Sequence, residues 1–435
     1  MAENSPAVGL YTLGCKVAQY ETEAIAEDFE RHGFRVLPFD EICDVYVVNT
    51  CTVTAESDRK CRQVIRRARH TNPAAHILVC GCYAQTSPDE VAAIEGVSYV
   101  GGTDRKMKLA EEALALLAAP PAAPRITTAP LTPEFEAMSV TRAPRTRAYI
   151  KIEDGCECRC TYCAIPGARG PVRSKPADAV LAEIATLAAG GSREIVLTGI
   201  ETASWGVDLG KERLIDLLER IDKIENVPRI RLGSLSPECI RPDFAERFAR
   251  LSCTVPHLHL SMQSGSDSVL RGMRRRYNAS QAEEALALLR RLIPRIQFTT
   301  DMMVGFPGES EENFRETLEF TRRARFLDMH IFAYSRRPGT PAADYPDQIP
   351  AETKRRRSAE LTKLRDSIRD EVLAEVCAMG EPLPVIVETV ENGIAVGHSD
   401  SFIETRFSTD EDFSGKEVKL LPVRPQRGYI VCKKI

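Results

Sequence analysis

Three thiols crowd into one short run, Gly155-Cys156-Glu157-Cys158-Arg159-Cys160-Thr161-Tyr162-Cys163, directly after the strand-like Ala148-Tyr149-Ile150-Lys151-Ile152. With three residues between Cys156 and Cys160 and two between Cys160 and Cys163, the loop can wrap one inorganic cube. Three cysteines serve three of the four irons of a 4Fe-4S cluster and leave the last iron open to a ligand that is not protein. The competing reading is a structural zinc site, which wants a closed shell of four ligands and would have to recruit Cys158. Cys158 lies between two of the other thiols, where the loop would have to aim all four side chains one way.

The pattern around this loop predicts an α/β chain in several parts. From Val8 to about Ala118, short apolar runs alternate with helical patterns, as expected of a parallel α/β domain covered on both faces, and Gly33 stands at the C-cap of the first helix. Residues 119–145 hold Pro120, Pro121, Pro124, Pro130, Pro133 and Pro144 with no periodicity, a linker or a strap laid over the surface. Alternation then resumes, with strands expected near 148–153, 194–198, 229–233, 257–261, 297–303 and 329–334. Leu214, Leu217, Leu218 and Ile221 show the spacing of a helix with one buried stripe. Six strand-helix units make a partial barrel, whose chemistry belongs at the C-terminal ends of its strands. A long helix carrying Leu361, Leu364, Ile368 and Val372 closes this part, and the remainder reads as a small β-barrel. The expected division is 1–118, 119–145, 146–378 and 379–435.

At 435 residues the chain is too long for one ordinary domain. Its formal charge of −4 hides basic clusters at Arg66, Arg67 and Arg69, at Arg271, Arg274, Arg275 and Arg276, and at Lys354 to Arg357. Such local stripes are what a polyanion would meet. No run approaches the ~20 apolar residues that span a bilayer, and no signal peptide is visible, so a reducing, cytoplasmic setting without a membrane partner is expected. There, clustered cysteines bind metal more often than they pair. Cys43, Cys239, Cys253, Cys377 and Cys432 stand alone and are expected to pack as small apolar groups.

A second set of thiols lies in the N-terminal part. Cys15 in Thr12-Leu13-Gly14-Cys15-Lys16, Cys51 in Asn49-Thr50-Cys51-Thr52 and Cys82 in Gly81-Cys82-Tyr83-Ala84-Gln85 each fall just past an expected parallel strand. Loops at the C-terminal ends of neighbouring parallel strands meet at one sheet edge, so the three can converge, although three ordinary buried thiols would read the same way. Cys61 and Cys80 are rivals; Cys80 sits nearer the strand, which makes Cys82 the better ligand.

The whole chain resembles the methylthiotransferases, radical S-adenosylmethionine enzymes with an N-terminal domain for a second 4Fe-4S cluster and a C-terminal TRAM domain, a small β-barrel that holds RNA. The matching runs include Thr12 to Val17, Asn49 to Val53, Gly81 to Gln85, Cys156 to Cys163 with Ile165-Pro166 and Arg169-Gly170, Val196 to Ile200, Arg231 to Pro237, His257 to Gly265 and Asp301 to Gly308. The resemblance implies that Cys156, Cys160 and Cys163 hold the cluster that cleaves S-adenosylmethionine, that Cys15, Cys51 and Cys82 hold the auxiliary one, and that Gly199, Ser234 and Gln263 face the cofactor. Leu13 to Val17 with Gln19-Tyr20-Glu21, and Asn49 to Thr54, are similar to the branch that acts on N6-threonylcarbamoyladenosine at position 37 of transfer RNA. Other branches modify isopentenyladenosine or a ribosomal-protein aspartate. Ala18 replaces the usual Asn, Cys61 the usual Ser, and Cys158 is additional.

The C2-H of adenine is neither acidic nor electrophilic, so its replacement has to be handed to a cofactor radical. The resemblance implies that one S-adenosylmethionine methylates sulfur associated with the auxiliary cluster and that a second gives the 5'-deoxyadenosyl radical that activates C2. It also implies tRNA and an external electron donor as partners, with no DNA. Arg271, Arg274, Arg275 and Arg276, beside the fourth barrel strand, are the expected phosphate contacts, and Phe402 and Tyr429 are candidates for base stacking. A reading of another class is a zinc-dependent RNA-binding module without catalysis.

Overall fold

The computed structural model describes residues 5–128, 131–143 and 146–435, so Pro130 and Pro144 lie outside the described residues. Its first part is a six-stranded parallel sheet built from β1 (Ala7–Thr12), β2 (Arg35–Leu37), β3 (Val45–Thr50), β4 (His76–Gly81), β5 (Val97–Val100) and β6 (Arg125–Ile126), in the order β2-β1-β3-β4-β5-β6. Strand β3 is buried at every position, as its valine run demands of a strand covered on both faces. One face packs under the helix Ala55–Thr71 through Val64, Ile65 and Ala68, the other under Ile25, Phe29, Leu109 and Ala113. The alternation located β1, β3 and β4. It missed β2, β5 and β6, which have only two to four residues each and no period to detect.

The helix Lys16–Arg31 is buried nearly all round because it serves two cores. Ile25 and Phe29 cover their own sheet, while Tyr20 and Ala24 join the core of the following barrel. Between the two, the described residues of the proline-rich stretch form a strap with fixed partners. Met138 and Val140 are buried, the Tyr20 hydroxyl donates to the Met138 carbonyl (2.9 Å), and Glu183 accepts from the Val140 N–H (2.7 Å). Glu27 accepts from Thr141 N–H (2.9 Å) and Asp104 from Thr132 N–H (2.7 Å).

The barrel strands are β7 (Arg147–Lys151), β8 (Glu153–Asp154), β9 (Arg173–Ser174), β10 (Glu194–Thr198), β11 (Arg229–Leu232), β12 (Ser234–Leu235), β13 (His257–Gln263), β14 (Gln297–Val304) and β15 (Asp328–Ala333). All six expected strands are present within three residues of their expected bounds. What the pattern did not reveal is a break: β11-β10-β7 and β12-β13-β14-β15 are separate parallel sheets, and β8 pairs antiparallel with β9. The break falls at Gly233, whose N–H donates to the Leu197 carbonyl at 2.7 Å and where a Cβ would stand 3.1 Å from that oxygen. The helix over Leu214–Ile221 buries all four residues of its expected stripe.

The 29-residue helix Ala351–Met379 ends at Gly380 and leads into a closed barrel of β16 (Leu383–Glu391), β17 (Ile394–Ser399), β18 (Glu404–Ser408), β19 (Glu417–Gln426) and β20 (Tyr429–Lys434). This barrel docks against the beginnings of the parallel strands: Arg147 pairs with Glu388 (2.7 Å) and Arg229 with Glu417 (2.6 Å). Phe402 stacks on His257 (centroids 4.7 Å apart) under the guanidiniums of Arg147 and Arg231. Phe402 is therefore a docking wedge and is not free to stack on a base. Among the described residues no helix is long and apolar enough to cross a membrane.

The turn out of β4 gives a test. Gly81 holds φ +96°, and a Cβ there would lie 2.5 Å from the Thr50 carbonyl. Gly81→Ala is expected to destabilise the N-terminal sheet by on the order of 2 kcal/mol or more, read as a lower midpoint of the first denaturant transition. An unchanged midpoint would refute the assigned conformation.

Candidate active site

The loop Gly155–Cys163 is held from three directions. Gly155, at φ +87°, lies so close to the Pro171 carbonyl that a Cβ would come within 1.8 Å of its oxygen. Cys156 N–H donates to Gly170 (3.0 Å), Thr161 N–H to Met273 (3.1 Å), and the Thr161 carbonyl accepts from Ala342 N–H (2.9 Å). The result is an open cavity of about 520 Å³ whose wall includes Cys156, Cys160 and Cys163, with Arg274 and Gly339 on its rim. Cys158 is not part of this wall, but it stays beside Cys156, its N–H 3.4 Å from Cys156 Sγ. A larger hollow of about 670 Å³ along the helix Ala55–Thr71 contains none of these thiols.

The barrel places further polar groups at the same strand ends. Gly199 follows β10, Ser234 opens β12 and Gln263 ends β13 with a left-handed φ of +66°. A Cβ at Gly199 would sit 2.6 Å from Glu153 Oε2, so glycine is what lets this loop pass the carboxylate. Glu153 accepts from Glu201 N–H (2.8 Å) on that oxygen, while its Oε1, Glu201 Oε1 and Gln263 Oε1 are buried without a partner. Burial drives the Glu153 carboxyl well above its ordinary range and raises Glu201 to about 7, with Cys158 adding to the latter. Buried acceptors without donors are costly unless something supplies them. A small molecule carrying an ammonium and hydroxyls fits such a wall. Sequence reasoning named Gly199 and missed Glu201, two residues further on; a carboxylate that close behind a strand end was the available signal.

The expected phosphate contacts divide. Arg271, Arg274 and Arg276 are exposed, and Arg276 also reaches the Glu157 carbonyl (3.3 Å). Arg275 turns inward. Its guanidinium lies over Tyr277 and donates to Ser236 Oγ (2.9 Å), to the Ser261 carbonyl (3.1 Å) and to Cys160 Sγ (3.5 Å). It is a support of the cysteine loop, because these three contacts tie the half-buried guanidinium to fixed acceptors. In the basic run Lys354 to Arg357, Arg357 is buried against Glu309 (2.6 Å).

Cys15, Cys51 and Cys82 follow β1, β3 and β4, which are neighbours in the sheet, so their loops emerge side by side. A Cβ added at Gly14 would be 3.2 Å from Cys51 Sγ, Cys15 feels the field of the Cys82 thiol, and Cys51 feels those of Cys82 and Cys15. Protein packing raises the Cys15 thiol even though its loop reaches solvent. Cys61 and Cys80 are buried in the two cores of this domain, Cys61 with Sγ 3.5 Å from the Cys51 carbonyl. At Ala18 the backbone carbonyl accepts from the Asn49 side chain (3.0 Å). Among the described residues no three potential ligands gather as tightly as a single metal ion requires. A four-iron cube spreads its thiolates more widely, with one cysteine per iron.

The two thiol sets meet across a buried ionic seam. Glu21, on the helix that follows Cys15, pairs with Lys106, with Lys151 (3.0 Å) and with Arg169 (2.6 Å). Asp154, two residues before Cys156, pairs with Lys151 (3.1 Å) and Arg169 (3.1 Å). Burial alone would raise both carboxyls, but the cations around them outweigh it and hold Glu21 well below its ordinary range and Asp154 at about 2. Arg337, beyond β15, adds a second tie, to Asp58 (2.7 Å) and Thr52 Oγ1 (2.6 Å) beside Cys51.

Comparison with known proteins accounts for both halves. Residues 150–321 match the Radical SAM superfamily and residues 7–102 the Uncharacterized protein family UPF0004. A Bacillus subtilis protein named threonylcarbamoyladenosine tRNA methylthiotransferase MtaB is 41% identical, with 95% of this chain and 93% of that protein covered. The chain belongs to the MtaB-like methylthiotransferase family. A Thermotoga maritima protein of the same name is 36% identical over 98% of the chain and 96% of its own length. A tRNA-2-methylthio-N(6)-dimethylallyladenosine synthase from Carboxydothermus hydrogenoformans is 33% identical, with 97% of each covered. Among solved structures, the radical S-adenosylmethionine methyltransferase TsrM of Kitasatospora setae shares the fold at TM-score 0.59 and 18% identity, over 90% of this chain and 80% of that one. Membership in this family implies a 4Fe-4S cluster and S-adenosylmethionine, and the three thiols of the cavity wall, with Glu201 close enough for its charge to act on Cys156, fit them.

The thiols of the metal-free protein should differ in reactivity. A hydrogen bond from Cys156, with help from Arg276, lowers Cys158 to about 7, whereas burial raises Cys51 to about 11 and Cys163 to about 12. At about pH 8, Cys158 should alkylate first, and Cys51 and Cys163 only as the pH approaches their higher values. Timed iodoacetamide labelling with peptide mapping checks this; equal rates would contradict it.

Proposed function

We propose that this protein converts N6-threonylcarbamoyladenosine at position 37 of tRNA to its 2-methylthio derivative, in the cytoplasm and with electrons from an external donor. The observation that carries the reading is the cavity formed by Cys156, Cys160 and Cys163 in a chain that matches MtaB proteins nearly end to end. The higher identity to proteins of that name than to the dimethylallyladenosine synthase favours the threonylcarbamoyl substrate over isopentenyladenosine.

In this reading Cys156, Cys160 and Cys163 hold one 4Fe-4S cluster, and Cys15, Cys51 and Cys82 hold a second. When bound, the clusters and S-adenosylmethionine supply the electron, the radical chemistry and the sulfur. The chain's own groups bind and orient. Glu153, Glu201 and Gln263 offer acceptors to the amine and hydroxyls of S-adenosylmethionine, Gly199 and Ser234 let it lie against the strand ends, and Arg275 steadies Cys160. Arg271, Arg274 and Arg276 receive phosphates at the cavity rim, and the closed C-terminal barrel adds RNA contact. The ionic seam keeps both thiol sets facing one nucleobase.

Anaerobic reaction with tRNA, S-adenosylmethionine and a strong reductant tests it. Protein reconstituted with iron and sulfide should hold about eight irons per chain and form both 5'-deoxyadenosine and the methylthiolated nucleoside. Cys160→Ala should abolish both products; Cys51→Ala should retain 5'-deoxyadenosine and lose methylthiolation. One or two zincs in place of iron would sink the proposal.

A further inference from the structure

Arg169 belongs to the cysteine loop of the barrel, yet it reaches the other set of thiols. It is the last residue of the helix Ile165–Arg169, which starts two residues after Cys163, and its side chain is 1% exposed. Nη1 and Nη2 grip the two oxygens of Glu21 (2.6 and 3.2 Å), Nη1 also meets both oxygens of Asp154 (3.1 Å each), and Nε–H donates to Cys82 Sγ at 3.3 Å. The fork on Glu21 fixes the guanidinium plane and thereby aims Nε–H at the sulfur, a geometry that one ammonium could not reproduce. Glu21 lies on the helix that begins beside Cys15, and Asp154 stands just before Cys156, so one side chain links the loops of three thiols and touches a fourth.

We propose that Arg169 is a positioning residue for the auxiliary cluster, delivered from the loop of the other cluster, and that its N–H bond to the Cys82 sulfur raises the auxiliary reduction potential. This rests on the reading that Cys15, Cys51 and Cys82 hold a 4Fe-4S cluster. Hydrogen bonds to cluster sulfurs, and a positive charge in a site of low dielectric, favour the reduced and more negative state. Because the helix that carries Arg169 continues directly from Cys163, the order of one cysteine loop sets the position of a donor on the other cluster.

The test uses the full chain carrying Cys156→Ala, Cys160→Ala and Cys163→Ala, which leaves only the auxiliary site and removes the arginine signal that Arg275 would give beside Cys160. About four irons per chain are expected; no iron would overturn the reading of function itself. In protein labelled with ¹⁵N-arginine, pulsed EPR of the reduced cluster should detect one arginine nitrogen, lost in R169K. Its absence from the unsubstituted background would overturn the proposal without reference to how any further variant folds. Redox titration should give R169K and R169M more negative midpoints than the background. Glu21→Gln, which loosens the seam but keeps Nε–H, should shift the midpoint less. Equal midpoints in the background and R169M, or the same shift in E21Q and R169M, would mean that Arg169 is only a strut.

Discussion

A carboxylate sealed from water stays ionised only where cations surround it, and Glu21 and Asp154 meet that condition at the junction of the two cysteine-bearing parts. Lys106 comes from the short helical turn after β5 of the N-terminal part, Lys151 from β7 and Arg169 from beyond Cys163, so neither part can complete the seam alone. Removing one partner from such a buried set leaves an uncompensated charge, at a cost of about 3–5 kcal/mol. A hydrophobic seam of similar size would also hold the parts together, but it would tolerate sliding. Directional ion pairs accept only one relative placement, and that placement fixes how the two cysteine-bearing parts face each other.

The same logic of convergence works on both sides of the seam. In the N-terminal sheet, three adjacent parallel strands each release a cysteine at the same edge. In the barrel, parallel strands bring the cysteine loop, Gly199, Ser234 and Gln263 to one mouth, and buried acceptors without donors remain there. The helix Lys16–Arg31 and the strap around Met138 and Val140 join the two, since both contribute side chains to the barrel's core. The C-terminal barrel docks elsewhere, at the strand beginnings, where Phe402 is consumed in the contact.

Much of this was legible before any coordinates, because periodicity and spacing are local. The valine run of β3, the stripe over Leu214 to Ile221 and the thiols just past each strand all act over a few residues. The strands of two to four residues were not legible, nor was the break at Gly233, since neither leaves a period. Arg275 and Phe402 show a different limit. A basic residue in a basic run and an aromatic in a β-segment suit a nucleic-acid surface equally well, and only their neighbours reveal that one supports Cys160 and the other wedges two parts together.

By itself the sequence determined the α/β alternation, the three-thiol loop and the place of Cys15, Cys51 and Cys82 just past their strands, since each follows from residues near one another along the chain. Only the tertiary structure decided which cations face Glu21, that Arg169 reaches Cys82 and that Glu153 and Glu201 wait without donors in the barrel mouth. The pairings of Glu21 and Arg169 join residues 85 to 148 positions apart, and ionic and hydrogen-bond partners are chosen by direction and burial, which exist only once the sheets have packed.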